Sequence, residues 1–271
     1  MGFNEGPEIK ALIARLEDLV SAVERGELGL TPFLTPRELY IAEDYLTGCG
    51  VPYAAYGGYS LAERKRIYIF PDYMEELSAQ ESQIDFENKI SEYGYSTNIT
   101  PLSVRGSGYR QLTPRDFLGS AIALGVERSI MGDIVLLGDE GREAVIFCDG
   151  TISEFFLREL VLVANDRVMV TVADMSVMEL PAKKTAPIHD TVAAPRLDAL
   201  VAALCGLSRE KGRVAVTSGL VELNFECEDR PDKTVSAPAL ISVRGFGRFK
   251  VVSLSDKTRK GRFRLEAEKF I

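Results

Sequence analysis

Between Asn98 and Met175 the apolar residues switch repeatedly between a period of two and a period of 3.6, which restricts the fold more than any other feature of the chain. "NITPLSV" alternates as a strand does. Thr113-Pro114-Arg115-Asp116 then offers an N-cap, a proline at N1 and a capping-box acid, and Phe117, Leu118, Ala121 and Ile122 give the helix its apolar face. "GDIVLLGDEGREAVIFCDG" reads as two strands joined at Asp139-Glu140-Gly141. Thr151-Ile152-Ser153-Glu154 repeats the capping box ahead of Ile152, Phe155, Phe156, Leu160 and Val163, and "RVMVTVADM" alternates again. The order β-α-β-β-α-β predicts a ferredoxin-like or RRM-like split βαβ domain over residues 96–178.

The flanks have other patterns. Ile9, Leu12, Ile13, Leu16, Leu19, Val20 and Val23 predict an amphipathic helix over 8–25, and Thr35-Pro36-Arg37-Glu38 starts another that runs to about Leu46. "GVPYAAYGG" and "RIYIF" read as short strands, and the acidic "EELSAQESQIDFENKISEYG" reads as helix, completing an α/β domain over 1–95. Residues 179–194 lack periodicity and are rich in Pro, Ala and Thr, as a linker is. In 195–271, Leu197, Leu200, Val201 and Leu204 predict one helix and Ser208–Ser218 a second, with Gly219 at C′; "LVELN" and "LISVRGFGRFKVVSL" are strands. The expected class is α+β in three domains.

No stretch approaches 18 apolar residues, "MGFNEGPEIKAL" lacks the pattern of a secretory signal, and Cys49, Cys148, Cys205 and Cys227 form no C-x-x-C pair. A cytoplasmic protein with reduced thiols is expected, without cofactor or metal site. The formal net charge of −8 conceals an asymmetry: residues 1–95 carry 8 Lys and Arg against 17 Asp and Glu, whereas 195–271 carry 15 against 10.

Part of that basic excess sits where a helix disfavours it. With Ser208 as N-cap, Arg209 and Lys211 fall at N1 and N3, against the positive end of the macrodipole. Gly212 costs this helix about 1 kcal/mol relative to alanine. Bases at an exposed helix start suit a docked phosphate, and Arg196, Arg244, Arg248 and Lys250 add further cations. Solvated charges that aid solubility explain the spacing equally well.

"RLDALVAALCGLSREKGRVAVTSGLVELN" followed by "ISVRGFGRFKV" resembles the S4 RNA-binding domain, a two-helix module with a short (αL-motif-like) sheet. Arg196-Leu197-Asp198, Ser208-Arg209, Ser218-Gly219-Leu220-Val221 and Asn224 carry the resemblance; Gly212, where the pattern has alanine, departs from it and is expected to loosen the helix. The resemblance implies that Arg196, Arg209 and Lys211 contact RNA, with Ser208 and Ser218 as minor donors. With "GGYSLAERKRIYIFPDY" and "LTPRDFLGSAIALGVERSIMGDIVL" added, the chain resembles the YlmH family of bacterial S4-domain proteins. Membership implies a non-enzymatic, ribosome-associated role in rescue of stalled large subunits, with rRNA and tRNA as partners, and an association with cell division.

Several alternatives remain open. An RRM needs aromatic residues on its central strands, and the middle domain offers only Phe147 there. Arg105, Arg110 and Arg115 could touch phosphate or be ordinary surface arginines, and Gly106-Ser107-Gly108 is too short for a nucleotide loop. Arg64, Lys65 and Arg66 could form a second RNA contact or the solvated face of a short helix. An RNA-modifying enzyme of the pseudouridine synthase type would need a catalytic aspartate; Asp198 follows Arg-Leu but lies in a helix, where pairing with a neighbouring base is expected. Asp116, Asp133 and Asp139 are explained by caps and turns, and His189, the single histidine, falls in the linker, so catalysis is not expected. A division-associated scaffold would bind a protein through the acidic N-terminal domain.

Overall fold

Thr35 shows how local sequence places the first elements of the computed structural model, which describes residues 6–79, 83–138, 141–181, 185–257 and 261–270. Its N–H donates to Glu38 Oε2 at 2.7 Å and the Glu38 N–H donates back to Thr35 Oγ1 at 3.3 Å, closing the expected capping box. Before it, α1 (Pro7–Glu24) buries Ile9, Leu12, Leu16 and Val23 on one stripe, and β1 (Gly29–Leu30) follows. After it come α2 (Pro36–Cys49), β2 (Tyr53–Tyr56) and β3 (Arg66–Ile69), in an antiparallel sheet of order β1-β3-β2. All four residues of the central strand are buried. The acidic segment forms a 3-10 turn, Asp72–Ala79, and α3 (Gln83–Glu92); residues 80–82 lie outside the described ones.

The second sheet uses β4 (Ile99–Gly106), β5 (Met131–Leu137), β6 (Glu143–Asp149), β7 (Leu162–Val163) and β8 (Asp166–Val172), with α4 (Pro114–Ala123) and α5 (Gly150–Glu159) between strands. Its order is β5-β6-β4-β8-β7 and every pairing is antiparallel, so the α5 crossover from β6 to β8 passes over β4. Leu102, Val104, Ile146, Phe117 and Phe156 form the core between sheet and helices. The α5 cap differs from expectation: Asp149, not Thr151, is the N-cap, accepting from the Thr151 N–H at 2.9 Å. An aspartate already at the strand end reaches the first free amides of the helix. Of the predicted β5–β6 turn, Asp139 and Glu140 lie outside the described residues.

These two sheets lie within one compact unit, Met1–Pro181. Two buried arginines join them. Arg64 donates from Nε to the Met131 carbonyl at 2.9 Å and from Nη2 to the carbonyls of Phe33 (2.9 Å) and Arg128 (3.0 Å). Arg66 donates to the carbonyls of Thr31 (2.8 Å) and Asn98 (3.2 Å) and pairs with Asp149 at 2.7 Å. At 7% and 6% exposure they form neither an RNA contact nor a solvated helix face, and residues 63–64 are a bend, not a helix. Asp133 completes the joint, accepting from the Tyr59 hydroxyl and the N–H groups of Glu63 and Arg64.

The second unit, Ala182–Ile271, holds a six-stranded antiparallel sheet. Its elements are β9 (Thr185–Val192), α6 (Leu197–Cys205), α7 (Arg209–Thr217), β10 (Val221–Leu223), β11 (Glu226–Cys227), β12 (Ala239–Val243), β13 (Gly247–Lys257) and β14 (Phe263–Phe270). The strands run β11-β10-β12-β13-β14-β9, and Leu197, Leu200, Val216, Phe249 and Val251 pack between helices and sheet. The expected linker is thus corrected: Thr185–Val192 pairs with β14 from Thr185↔Phe270 to Val192↔Phe263. An edge strand tolerates Pro187 and needs few apolar residues, so it has no strong local signature.

Burial alone would raise the Asp149 pKa, but hydrogen bonds from Thr151 and the Arg66 guanidinium outweigh it and hold the carboxyl below its ordinary range. A depressed folded pKa contributes stability above the unfolded value of about 3.9, lost as pH falls through the lower folded value. Asp149→Asn keeps a competent N-cap but leaves Arg66 without its counter-ion, costing about 3 kcal/mol at pH 7. Thermal unfolding followed by circular dichroism is expected to show that gap closing below about pH 4; a gap independent of pH would show that the pairing is not its source.

Candidate nucleic-acid interface

The start of α7 answers to a carboxylate beneath it. Ser208 is the N-cap, its Oγ accepting from the Lys211 N–H at 3.3 Å. Asp198, in the first turn of α6, is 3% exposed. Arg196 reaches it from Nε at 3.2 Å and Nη2 at 3.0 Å, and Arg209 from Nη2 at 3.5 Å. The side-chain hydrogen bond to Asp198 raises the Arg196 pKa further above its ordinary value. Neither expectation for the helix start, a bare phosphate seat or loose solvated charges, describes this arrangement. The two guanidiniums partner a buried carboxylate, and Asp198 pairs with neighbouring bases as its helical position predicted. Their side chains remain 39% and 53% exposed, so one face of each fork meets solvent.

Gly212 makes the arrangement geometrically feasible. A Cβ there would lie 2.6 Å from the Asp198 carbonyl oxygen and 3.0 Å from both the Cβ and the N of Ala202. The glycine therefore lets α7 lie against α6 and bring Arg209 over Asp198; it does not loosen the helix. Beside the pair lies a depression of about 280 Å³, lined by Thr191, Ala199, Ala202, Leu207, Arg209 and Arg262 among others. Arg262 was missed from the sequence; it bonds the Thr191 hydroxyl at 2.8 Å, a partner visible only once 185–192 is a strand.

The remaining predicted residues of this unit lie elsewhere. Phe249 and Val251 point into the core, so Arg248 and Lys250 project from the sheet face away from the helices. Lys250 faces Glu268 across the ladder. Arg244 and Arg248 line a second depression, of about 500 Å³, with Gly219, Leu220 and Glu222. Ser218 is the C-cap of α7, and Gly219 follows at φ +66° as a C′ glycine does. The bases are thus divided between the start of α7 and the sheet face away from the helices.

In the first unit, Lys65 is half-buried, and its charge offsets part of the upward effect of burial on the Glu43 carboxyl. Arg105 pairs with Glu143 at 3.2 Å and Arg110 with Asp116 at 3.6 Å, while Arg115 is exposed. Asp116 caps α4, and Phe147 is buried under Tyr59 with ring centroids 4.9 Å apart, so it offers no platform for a base. Among the described residues, no group of three or more His, Cys, Asp or Glu could hold a metal, and no helix is long and apolar enough to cross a membrane.

The chain is similar to proteins already described. Residues 8–74 match the family model described as "YlmH, N-terminal", and residues 82–177 the one described as "Putative RNA-binding domain in YlmH". The chain is 30% identical over 246 residues to "Ribosome-associated protein quality control protein P2" of Bacillus subtilis (strain 168), covering 91% of this chain and 89% of that one. A solved structure, "Cell division protein ylmH from Streptococcus pneumoniae", is 21% identical and covers 65% of this chain and 97% of that one, with a TM-score of 0.47. The chain belongs to the YlmH family.

For Gly212→Ala, helix propensity alone predicts a gain of about 1 kcal/mol and overpacking a loss of about 1–3 kcal/mol. Because the tightest contact is with a backbone oxygen, that of Asp198, the loss is expected to win, giving a lower denaturation midpoint. A raised midpoint would contradict the close approach of α6 and α7.

Proposed function

We propose that this protein is a cytoplasmic, non-enzymatic RNA-binding protein of the ribosome, acting in quality control of stalled large subunits. Its second unit would be an S4-type domain gripping structured rRNA or tRNA. Family membership, the RNA-binding description of residues 82–177 and the name of the Bacillus subtilis relative support the general reading. The observation that carries the finer one is the Arg196–Asp198–Arg209 cluster beside Lys211. A guanidinium has five N–H donors in a fixed fork, and pairing with Asp198 uses only some of them. The shared carboxylate holds both forks in place before any ligand arrives, so less side-chain entropy is lost on docking a phosphate. Arg196, Arg209 and Lys211 against Asp198 and Glu210 leave a local charge of about +1, before the charge of Asp232 that also acts on Arg196.

Affinity would then be dominated by phosphate contacts, with a log–log salt slope of about 0.7–0.9 per neutralised charge. Arg209→Ala and Lys211→Ala, each in the full chain, are expected to weaken co-sedimentation with large ribosomal subunits and to lower that slope by about one contact. Circular dichroism checks that each variant stays folded. Unchanged affinity and slope would reject the assignment. A pure protein scaffold would stay in the supernatant at every salt concentration.

A further inference from the structure

We infer that the middle region binds single-stranded RNA through the loop between β4 and α4, with Tyr109 as its base-stacking residue, not through its sheet face. This rests on the RNA-binding reading above and goes beyond it in naming the element and the form of RNA. The face of the sheet opposite α4 and α5 is closed where an RRM would stack bases. Phe147 lies under Tyr59, and Val145, Phe147 and Ala173 form a covered cluster with Met175, Met178 and Leu180.

The loop has the opposite character. Tyr109 is 92% exposed, the most exposed of the large hydrophobic residues among those described. One exposed aromatic is ordinary by itself. This one stands on a fixed base: the Ser107 hydroxyl bonds the buried Asp166 carboxylate, and the Tyr109 N–H donates to Ser107 Oγ at 3.2 Å. Gly106 N–H donates to the Arg142 carbonyl at 2.7 Å and Leu112 N–H to the Gly141 carbonyl at 3.0 Å, so both ends of the loop are tied to the β6 side of the sheet. Leu112 is fully buried as its apolar anchor.

Three exposed arginines lie within six residues of Tyr109 along the chain. Arg105 and Arg110 are each paired with an acid, Glu143 and Asp116, and Arg115 has no ion-pair partner among the described residues. An exposed aromatic on an anchored loop that also carries arginines suits an unstacked base and its flanking phosphates; a duplex keeps its bases paired and gives the ring no face to stack on.

The chain contains no tryptophan, so Tyr109→Trp installs a single indole reporter in the full-length protein. A twelve-nucleotide oligoadenylate is expected to quench its emission, and a duplex RNA of the same length to leave it nearly unchanged. Tyr109→Ala is expected to weaken oligoadenylate binding about tenfold, with Tyr109→Phe close to wild type and all melting temperatures unchanged. If wild type binds oligoadenylate but Tyr109→Ala binds equally well and the indole is unquenched, the loop assignment alone is overturned. If wild type binds neither RNA nor ribosomal subunits, the RNA-binding reading fails, and this inference with it.

Discussion

The ion pair of Arg66 with Asp149 is the interaction on which the first unit depends. Arg66 begins the fully buried strand of one sheet, while Asp149 ends a strand of the other and caps the helix that follows. A buried pair of this kind is weak evidence of net stabilisation, because both charges lose their hydration. Its consequence is specificity. Arg66 also bonds the carbonyls of Thr31 and Asn98, and Arg64 those of Phe33, Met131 and Arg128, so backbone groups that meet at the joint are satisfied by fixed forks. Any slip between the sheets would leave buried guanidiniums unpaired, which is costlier than the pair is favourable.

The same chemistry recurs in the second unit with a different outcome. Asp198 is more buried than the arginines of the first joint, but the guanidiniums it holds are half-exposed. In one case a carboxylate and an arginine close an internal seam; in the other a carboxylate orients two arginines that still meet solvent. Exposure, not residue type, separates the structural pair from the candidate interface. Gly212 permits the close approach of α7 to α6 that brings Arg209 to Asp198.

What the sequence revealed follows from the range of the interactions involved. The caps at Thr35 and Thr113 close within three residues, so the motif contains its own explanation. The β5 and β6 strands were legible because both are strongly apolar. Arg64 and Arg66 were misread as surface cations because their partners lie 31 to 83 residues away. Thr185–Val192 passed for a linker because its pairing with β14 is at long range and an edge strand needs little apolar patterning. The Gly212 departure was visible but its packing was not: a propensity scale counts the missing methyl group and cannot count the Asp198 carbonyl oxygen that it would strike.

Net charge constrains how such a protein could choose its RNA. At −8 overall, the molecule repels a polyanion at long range, and that field decays over a Debye length of about 8 Å at physiological ionic strength. Indiscriminate capture by a diffuse basic surface, the usual source of non-specific affinity, is therefore weak. Attraction would have to come from cations brought within contact distance of phosphates, as Arg196, Arg209 and Lys211 would be under the proposed reading. Held by Asp198, those forks cannot rearrange freely to suit any backbone. Were that site the one that docks RNA, an acidic protein carrying a small, rigid basic site would favour RNA whose phosphates already match its spacing, and disfavour RNA that would have to be bent to fit.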